Sequence, residues 1–227
     1  SLNKKIKYIV CLYLIFIKLL FNKNFVILCF QANIYCTLLC KLFGIKIIIR
    51  SNSSPSGWSK NFIKKIIFKK LLNLADIIIV NSIDFKSELK KKLNLKSVCI
   101  YNPLNKEEIV FQSKKNNKII FKKHNVLKII NVARFTDQKD HITLLRAANI
   151  LKEKIKFELN IVGRGVNKNM MDSYIVKNDL KKFVKIVKFI DNPYPLIKQA
   201  DLFVLTSKFE GLPNVLLESL TLKKFVI

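Results

Sequence analysis

The sequence predicts an α/β protein made of two Rossmann-like, doubly wound domains. Short apolar runs rich in β-branched residues alternate with longer amphipathic runs along the chain. The short runs contain few polar residues, which is typical of parallel strands covered on both faces. Because strand and helix patterns alternate instead of forming separate blocks, we expect doubly wound parallel sheets.

Eight segments have the pattern of a buried strand. They are Phe25–Phe30, Lys46–Arg50, Asp76–Val80, Val98–Tyr101, Lys128–Val132, Lys156–Val162, Val184–Val187 and Asp201–Leu205. Helical spacing of apolar residues recurs between them. The predicted helices are Ile34–Leu42, Asn61–Asn73, Asp84–Leu93, His141–Lys154 and Asn214–Leu222.

The apolar stretch Tyr8–Phe21 is interrupted only by Lys18. Its length of about 14 residues is short of the roughly 20 that a membrane-spanning helix needs. No small-residue cleavage site follows it, as a signal peptide would require. We therefore predict a buried or interfacial helix rather than a spanning one.

The domain boundary is predicted from a polar, lysine-rich stretch in the middle of the chain. We expect a partial N-terminal domain at 1–105, a linker at 106–126 and a C-terminal domain at 127–227. The chain begins at Ser1 without a methionine and ends in the apolar Phe225–Ile227. These ends suggest a fragment truncated on both sides.

The net charge of +27 admits three interpretations: a coding bias, an anionic membrane surface or nucleic acid. Only four of the 42 basic residues are arginines, namely Arg50, Arg134, Arg146 and Arg164. Proteins that read bases use arginine extensively, because its guanidinium pairs with guanine edges. The composition therefore disfavours nucleic acid and leaves coding bias and a membrane surface open.

The five cysteines occur in apolar runs, where a free cysteine behaves as a small hydrophobic residue. Cys36 and Cys40 are close in sequence, but no histidine lies nearby to complete a zinc site. We expect free thiols, a reducing cytosol and no metal.

Three predicted strand ends carry residues suited to an anionic ligand, because ligands of open α/β sheets bind at the carboxyl ends of strands. Arg134 and Lys139 follow the first strand of the second half, and two fixed cations there would suit a diphosphate. Gly163 and Gly165 follow the next one and would let a backbone approach a phosphate or ribose closely, although a tight turn is an equal possibility. Solvated loop cations remain the alternative for Arg134 and Lys139.

The third strand end leads into a helix that begins near Pro213. Proline suits the first helical turn, and the free N–H groups there can bind an anion. Glu210 precedes this helix and Glu218 lies within it, so the two carboxylates could bind sugar and ribose hydroxyls. Alternatively, Glu218 pairs with a lysine on the helix surface and Glu210 is a solvated loop residue.

Taken in order, these segments resemble glycosyltransferase family 4, the retaining enzymes of the GT-B fold. Four matches carry the resemblance over roughly residues 128–222. They are Val132-Ala133-Arg134-Phe135 with Lys139, Ile161-Val162-Gly163-Arg164-Gly165, Ala200 through Ser207, and Glu210-Gly211-Leu212-Pro213 through Glu218. The family transfers a sugar from a nucleotide diphosphate sugar to an acceptor hydroxyl, so this resemblance implies a UDP- or GDP-sugar donor.

The resemblance also implies a role for individual residues. Arg134 and Lys139 would neutralise the leaving diphosphate without a metal or other cofactor, and Glu210 would contact the donor sugar. The remaining donor-binding residues would hold the ribose, the phosphates and the base. They are Glu218 at the ribose, Gly211, Leu212 and Asn214 near the phosphates, and Gly163, Phe189 and Ile190 lining the nucleotide pocket.

The acceptor side departs from the family pattern. Many members carry a histidine at the end of an N-domain strand, whereas this chain has Arg50, Ser51 and Asn52 there. These three residues are the candidate acceptor contacts. The chain most resembles the enzymes of polysaccharide and lipopolysaccharide assembly, whose acceptors are often lipid-linked. This implies a cytoplasmic protein, peripheral at the inner face of the membrane.

Three other functions stay open at this stage. A GT-B epimerase would need catalytic acids and a histidine that the sequence does not place. A pyridoxal-type phosphorylase would need a lysine-bearing cofactor motif, which is not found in the sequence. The non-enzymatic alternative is an inactive or degenerate GT-B module that acts as a basic membrane-surface binding protein.

Overall fold

The computed structural model describes residues 4–30, 33–51, 62–115, 120–122 and 124–227. They form two compact units. The N-terminal unit takes the described residues up to Asn102 together with Glu210–Leu212, and the C-terminal unit takes the others from Pro103 onward.

The N-terminal unit contains a four-stranded parallel sheet in the order β1-β2-β3-β4. Its strands are β1 (Ile27–Cys29), β2 (Ile47–Ser51), β3 (Ile77–Val80) and β4 (Val98–Cys99). Its helices are α1 (Lys4–Phe21), α2 (Asn33–Leu42), α3 (Phe62–Asn73) and α4 (Ile83–Leu93). All four predicted strands and the three predicted helices of this half are present.

The C-terminal unit contains a five-stranded parallel sheet in the order β7-β6-β5-β8-β9. Its strands are β5 (Leu127–Val132), β6 (Phe157–Gly163), β7 (Val184–Lys188), β8 (Leu202–Phe203) and β9 (Phe225–Val226). Its helices are α5 (Lys106–Gln112), α6 (His141–Leu151), α7 (Lys168–Lys177), α8 (Tyr194–Gln199) and α9 (Asn214–Thr221). Strand β6 is buried along its whole length, as expected for a central parallel strand.

The segment predicted as a linker, 106–126, contains secondary structure. Helix α5 lies in it, and Ile109 of this helix is buried with Ile120 and Phe121 in the core of the C-terminal unit. The segment is predicted as a linker because the many lysines around these apolar residues give it the composition of a loop. The two units therefore divide at Asn102–Pro103.

Helix α1 is largely exposed. Leu19 is its buried apolar side chain among the residues described, whereas Ile9, Tyr13 and Leu14 are each more than 60% exposed. Of the two predicted alternatives, a buried helix is therefore wrong for most of this length, and an interfacial helix stays a prediction. Within the described part of the chain, no helix combines the length and the apolar character needed to cross a bilayer.

No disulfide bond joins the five cysteines, all of which lie in described parts of the N-terminal unit. Cys29, Cys36 and Cys40 are buried, Cys99 is half-buried and Cys11 is exposed. Burial is the main reason that the pKa of Cys40 is raised to about 11. Within the described residues, no group of three or more histidine, cysteine or acidic side chains has the arrangement of a metal site.

Candidate functional site

The C-terminal sheet has a reversal of strand order beside β5. From β5 the chain passes to β6 and β7 on one side, and then returns to β8 and β9 on the other. The carboxyl ends of β5 and β8 therefore flank a topological switch point. Open α/β sheets bind ligands in the crevice at this position.

The loop after β5 carries Arg134 and is fixed to the loop after β6. The amide of Phe135 donates to the carbonyl of Arg164 at 2.9 Å, and the amide of Asn167 donates to the carbonyl of Phe135 at 3.2 Å. Phe135 is fully buried beneath, while the side chain of Arg134 is exposed. The side chain of Arg134 therefore faces solvent from a loop whose backbone is held by hydrogen bonds. The second predicted cation, Lys139, follows in a 3₁₀ turn.

Gly163 and Gly165 are required by the contact between these two loops. A Cβ at Gly163 would overlap the carbonyl oxygen of Ala133, and one at Gly165 would overlap that of Phe135. The sequence predicts that these glycines let a ligand come close or form a tight turn. In the structure, the backbone that approaches them belongs to the Arg134 loop.

Phe189 and Ile190 lie directly after β7, at the same sheet edge. The ring of Phe189 is exposed and stacks with a guanidinium, because Cζ of Arg164 lies 4.3 Å from the ring centroid. Ile190 is half-buried against the core. An exposed flat ring and a planar cation offer a surface on which an aromatic base can stack.

Helix α9 follows the end of β8 after a connection that contains Gly211 and Leu212, both half-buried. The helix begins at Asn214, and Pro213 precedes it in the N-cap position. No side chain of the described residues caps this end of the helix. The amide of Leu216 donates to the carbonyl of Pro213 at 3.1 Å, and the positive end of the helix dipole at this terminus favours a nearby anion.

Glu218 is half-buried on α9, and Tyr194 of α8 is a neighbour that influences its ionisation. Burial raises the pKa of Glu218, and Tyr194 opposes that rise. Burial and the neighbouring carboxylate of Glu218 raise the pKa of Tyr194. Tyr194 is not among the predicted site residues, although it lies in the run Asn192-Pro193-Tyr194-Pro195 between two prolines.

His141 begins α6, two residues after Lys139, and is buried. Its ring meets that of Phe135 edge-on at 5.1 Å between centroids. Neither ring nitrogen has a hydrogen-bond partner in the described part of the structure. Burial is the main cause that lowers its pKa to about 4, and the charge of Lys139 lowers it further.

The predicted acceptor residues lie at the end of β2 in the N-terminal unit. Nη2 of Arg50 donates to the carbonyl of Ile100 at 3.1 Å and to Oδ1 of Asn102 at 2.7 Å. Ser51 is the last residue of β2 and is half-buried. Asn52 lies outside the described residues. Arg50 thus joins the end of β2 to the segment that follows β4, across the end of β3, a contact that the sequence did not predict.

The chain is similar to known proteins in both sequence and structure. The model of the family described as glycosyl transferases group 1 matches residues 112–227. The N-acetylgalactosamine-N,N'-diacetylbacillosaminyl-diphospho-undecaprenol 4-alpha-N-acetylgalactosaminyltransferase of Campylobacter jejuni is 32% identical over 196 residues, which are 82% of this chain and 52% of that protein. An uncharacterized glycosyltransferase of Methanocaldococcus jannaschii is 31% identical, over 84% of this chain and 50% of its own. The chain thus spans about half the length of these relatives.

A solved structure with the same fold is that of Anabaena HepE in complex with UDP and glucose. It superposes with a TM-score of 0.72 at 15% sequence identity, and covers 95% of this chain and 61% of the HepE chain. At this level of identity the likeness concerns the fold. It confirms the predicted GT-B class with its parallel α/β sheets.

Proposed function

Because the chain belongs to the glycosyl transferases group 1 family, we propose that its protein transfers a sugar from a nucleotide diphosphate sugar to an acceptor hydroxyl. The family-4 assignment made from the motifs is compatible with that membership. The observation that carries the proposal is the switch point between β5 and β8. Arg134 follows one of these strands, and the connection with Glu210 follows the other.

The leaving group of this reaction is a nucleoside diphosphate, on which negative charge builds as the bond to the sugar breaks. Arg134 and Lys139 would stabilise that charge, because cations already held in place need little rearrangement during the reaction. The N-terminal end of α9 would attract the phosphates through the helix dipole, and the N–H groups of Gly211 and Leu212 would add hydrogen bonds to them. We propose that these groups replace a metal ion, so chelation should leave donor binding unchanged.

The nucleoside would lie along the same sheet edge. Phe189, stacked with Arg164, would face the base, and Ile190 would complete the base site. Glu218 would accept hydrogen bonds from ribose hydroxyls and Glu210 from the donor sugar. The Anabaena HepE structure holds UDP and glucose, which supports a UDP-sugar as the first donor to test; a GDP-sugar remains the second.

The direct test is calorimetric titration of UDP, GDP and their sugars into the full-length protein. We expect saturable binding of one nucleotide, weakened by Arg134→Ala. Removing a charge-assisted hydrogen bond costs roughly 1.5–3 kcal/mol, which is about a tenfold to hundredfold loss of affinity. Arg146→Ala is the matched control, since Arg146 is an exposed arginine on α6. Equal losses in both variants, or no nucleotide binding by the folded wild type, would contradict the proposal.

Glu218 gives a test of the ribose contact alone. Glu218→Ala should weaken binding of UDP but leave binding of 2',3'-dideoxy-UDP unchanged, because that ligand lacks the hydroxyls. Glu153→Ala, at an exposed acid of the same unit, is the control. A Glu218 variant that binds both ligands as the wild type does would exclude the ribose role.

We propose a lipid-linked acceptor in the synthesis of a cell-surface polysaccharide, reached by a protein that is peripheral at the cytoplasmic side of an anionic membrane. The Campylobacter relative is named for an undecaprenol-linked acceptor, and the net charge of +27 would be attracted to anionic lipid. Arg50 and Ser51 of β2, with Asn52, would face the acceptor. Sedimentation with vesicles tests the membrane contact: anionic vesicles should bind the protein at low salt and neutral vesicles should not, and equal binding to both would contradict it.

A further inference from the structure

The 3₁₀ turn Asp137–Lys139 contacts the connection between β8 and α9 through Gln138. The side chain of Gln138 donates from Nε2 to the carbonyl of Phe209 at 3.0 Å. Its backbone carbonyl accepts a hydrogen bond from the amide of Lys208 at 2.9 Å. One residue therefore binds two consecutive residues of the connection.

A second set of contacts joins the same two segments. The hydroxyl of Thr206 lies 3.2 Å from the carbonyl oxygen of Lys139 and 3.0 Å from that of Asp140. The ammonium of Lys208 lies 4.0 Å from a carboxylate oxygen of Asp140. Because residues 206–209 have no helix or strand of their own, these bonds to the turn determine the path of the connection.

The hydrogen bond between Gln138 and Phe209 lies next to two predicted site residues. Phe209 directly precedes Glu210, and Lys139 directly follows Gln138. A change in the position of the Phe209 carbonyl turns the peptide plane that leads to Glu210, and an error of about 1 Å in a contacting group can cost about a hundredfold in rate. Gln138 is half-buried, so its hydrogen bond to Phe209 is partly shielded from competition by water.

We propose that Gln138 is a positioning residue that sets Glu210 to contact the donor sugar. This inference rests on the proposed function, in which Glu210 binds the hydroxyls of the transferred sugar. It assigns to the turn between the two phosphate-binding cations the further task of placing the sugar-binding acid. Gln138 itself need not touch the substrate.

The test compares two affinities of the full-length protein, one for the nucleotide and one for the corresponding nucleotide sugar. Their ratio measures what the sugar contributes. Gln138→Met keeps the length of the side chain and the backbone bond to Lys208 but removes the donor to Phe209. We expect the ratio to fall about fivefold, as for the loss of one neutral hydrogen bond, and affinity for the nucleotide alone to stay within about twofold.

Asn167→Ala is the matched control. Nδ2 of Asn167 donates to Oδ1 of Asp137 at 2.8 Å, so this variant also removes a hydrogen bond to the turn. It leaves both bonds of Gln138 intact, and we expect it to keep the wild-type ratio. A general loosening of the turn would lower the ratio in both variants and would thus contradict a specific role of Gln138.

Glu210→Ala separates failure of this inference from failure of the proposed function. If Glu210→Ala lowers the ratio and Gln138→Met does not, Gln138 has no positioning role and the proposed function stands. If neither variant changes the ratio, Glu210 does not bind the sugar, and both proposals about it are wrong. If Gln138→Met does not fold, Gln138→Glu replaces it. The affinity ratio of this variant should be low at neutral pH, where a carboxylate oxygen faces the Phe209 carbonyl. The ratio should recover at acid pH, because the protonated side chain can again donate to that carbonyl. No recovery would contradict the role.

Discussion

Buried His141 should make the protein lose stability between neutral and moderately acidic pH. Its ring is enclosed at the start of α6 against Phe135, and its nitrogens have no partner among the described residues. Burial and the charge of Lys139 lower the pKa to about 4 from an ordinary value of 6.5, with Asp140 opposing them. The folded chain therefore keeps this ring neutral over a range in which the unfolded chain protonates it.

The sign and size of the effect follow from proton linkage. Below pH 6.5 the unfolded state binds one proton more than the folded state, so the free energy of unfolding falls as the pH falls. The contribution is fully present above pH 6.5 and is lost progressively until the pH reaches about 4. One pKa unit corresponds to about 1.4 kcal/mol, which gives a total loss of about 3 kcal/mol and a loss of about 2 kcal/mol at pH 5.

The measurement is urea unfolding followed by far-UV circular dichroism at pH 7 and pH 5. His141→Phe keeps an aromatic ring against Phe135 but cannot titrate, so its loss between the two pH values should be about 2 kcal/mol smaller than that of the wild type. His124→Phe is the control, because His124 is the other histidine of the chain and is exposed. Carboxylates titrate equally in all three proteins and cancel in the difference. If His141→Phe and the wild type lose the same free energy, the burial argument is refuted.

Three further predictions concern backbone positions, and thermal and urea unfolding measure all of them. Gly163→Ala should destabilise the protein by about 3 kcal/mol, because its Cβ would overlap the carbonyl of Ala133. Gly44→Ala should cost only about 1 kcal/mol, since its Cβ meets open space and only the left-handed backbone opposes the substitution. Equal costs of the two variants would contradict the proposed overlap at Gly163. Asn94 ends α4 in the left-handed conformation. Asn94→Ala should therefore lower the stability by about 1 kcal/mol, whereas Asn94→Gly should not. A larger loss for Asn94→Gly than for Asn94→Ala would show that the side chain matters more than the backbone. Ser82 caps α4 through its side chain, and Ser82→Ala should cost about 1 kcal/mol, a loss that Ser82→Asp should avoid if the cap is responsible.

The strands could be predicted because parallel strands covered on both faces leave uninterrupted β-branched runs in the sequence. Helices α7 and α8 could not. Helix α8 has only six residues and includes Pro195, so it is too short for helical spacing to stand out. Helix α7 buries only Met171 and Ile175, and two apolar residues make no recognisable face.

Only some of the site residues could be predicted from the sequence. Arg134 and Gly163 could be predicted because they directly follow strand patterns, and the ends of parallel strands share one edge of the sheet. Tyr194 and Gln138 could not, because their partners Glu218 and Phe209 are distant in sequence. Such contacts depend on the packing of helices and loops, which local sequence patterns do not encode.

The distribution of thiols makes the N-terminal unit separately observable in solution. All five cysteines precede residue 103, and the buried Cys29, Cys36 and Cys40 belong to the core of the N-terminal unit. A thiol-specific reagent can reach these three sulfurs only when that core opens, so labelling rates in native buffer report the opening of this unit alone. The C-terminal unit is silent in such an experiment, and a nucleotide that binds there would slow the labelling only if the two units open together.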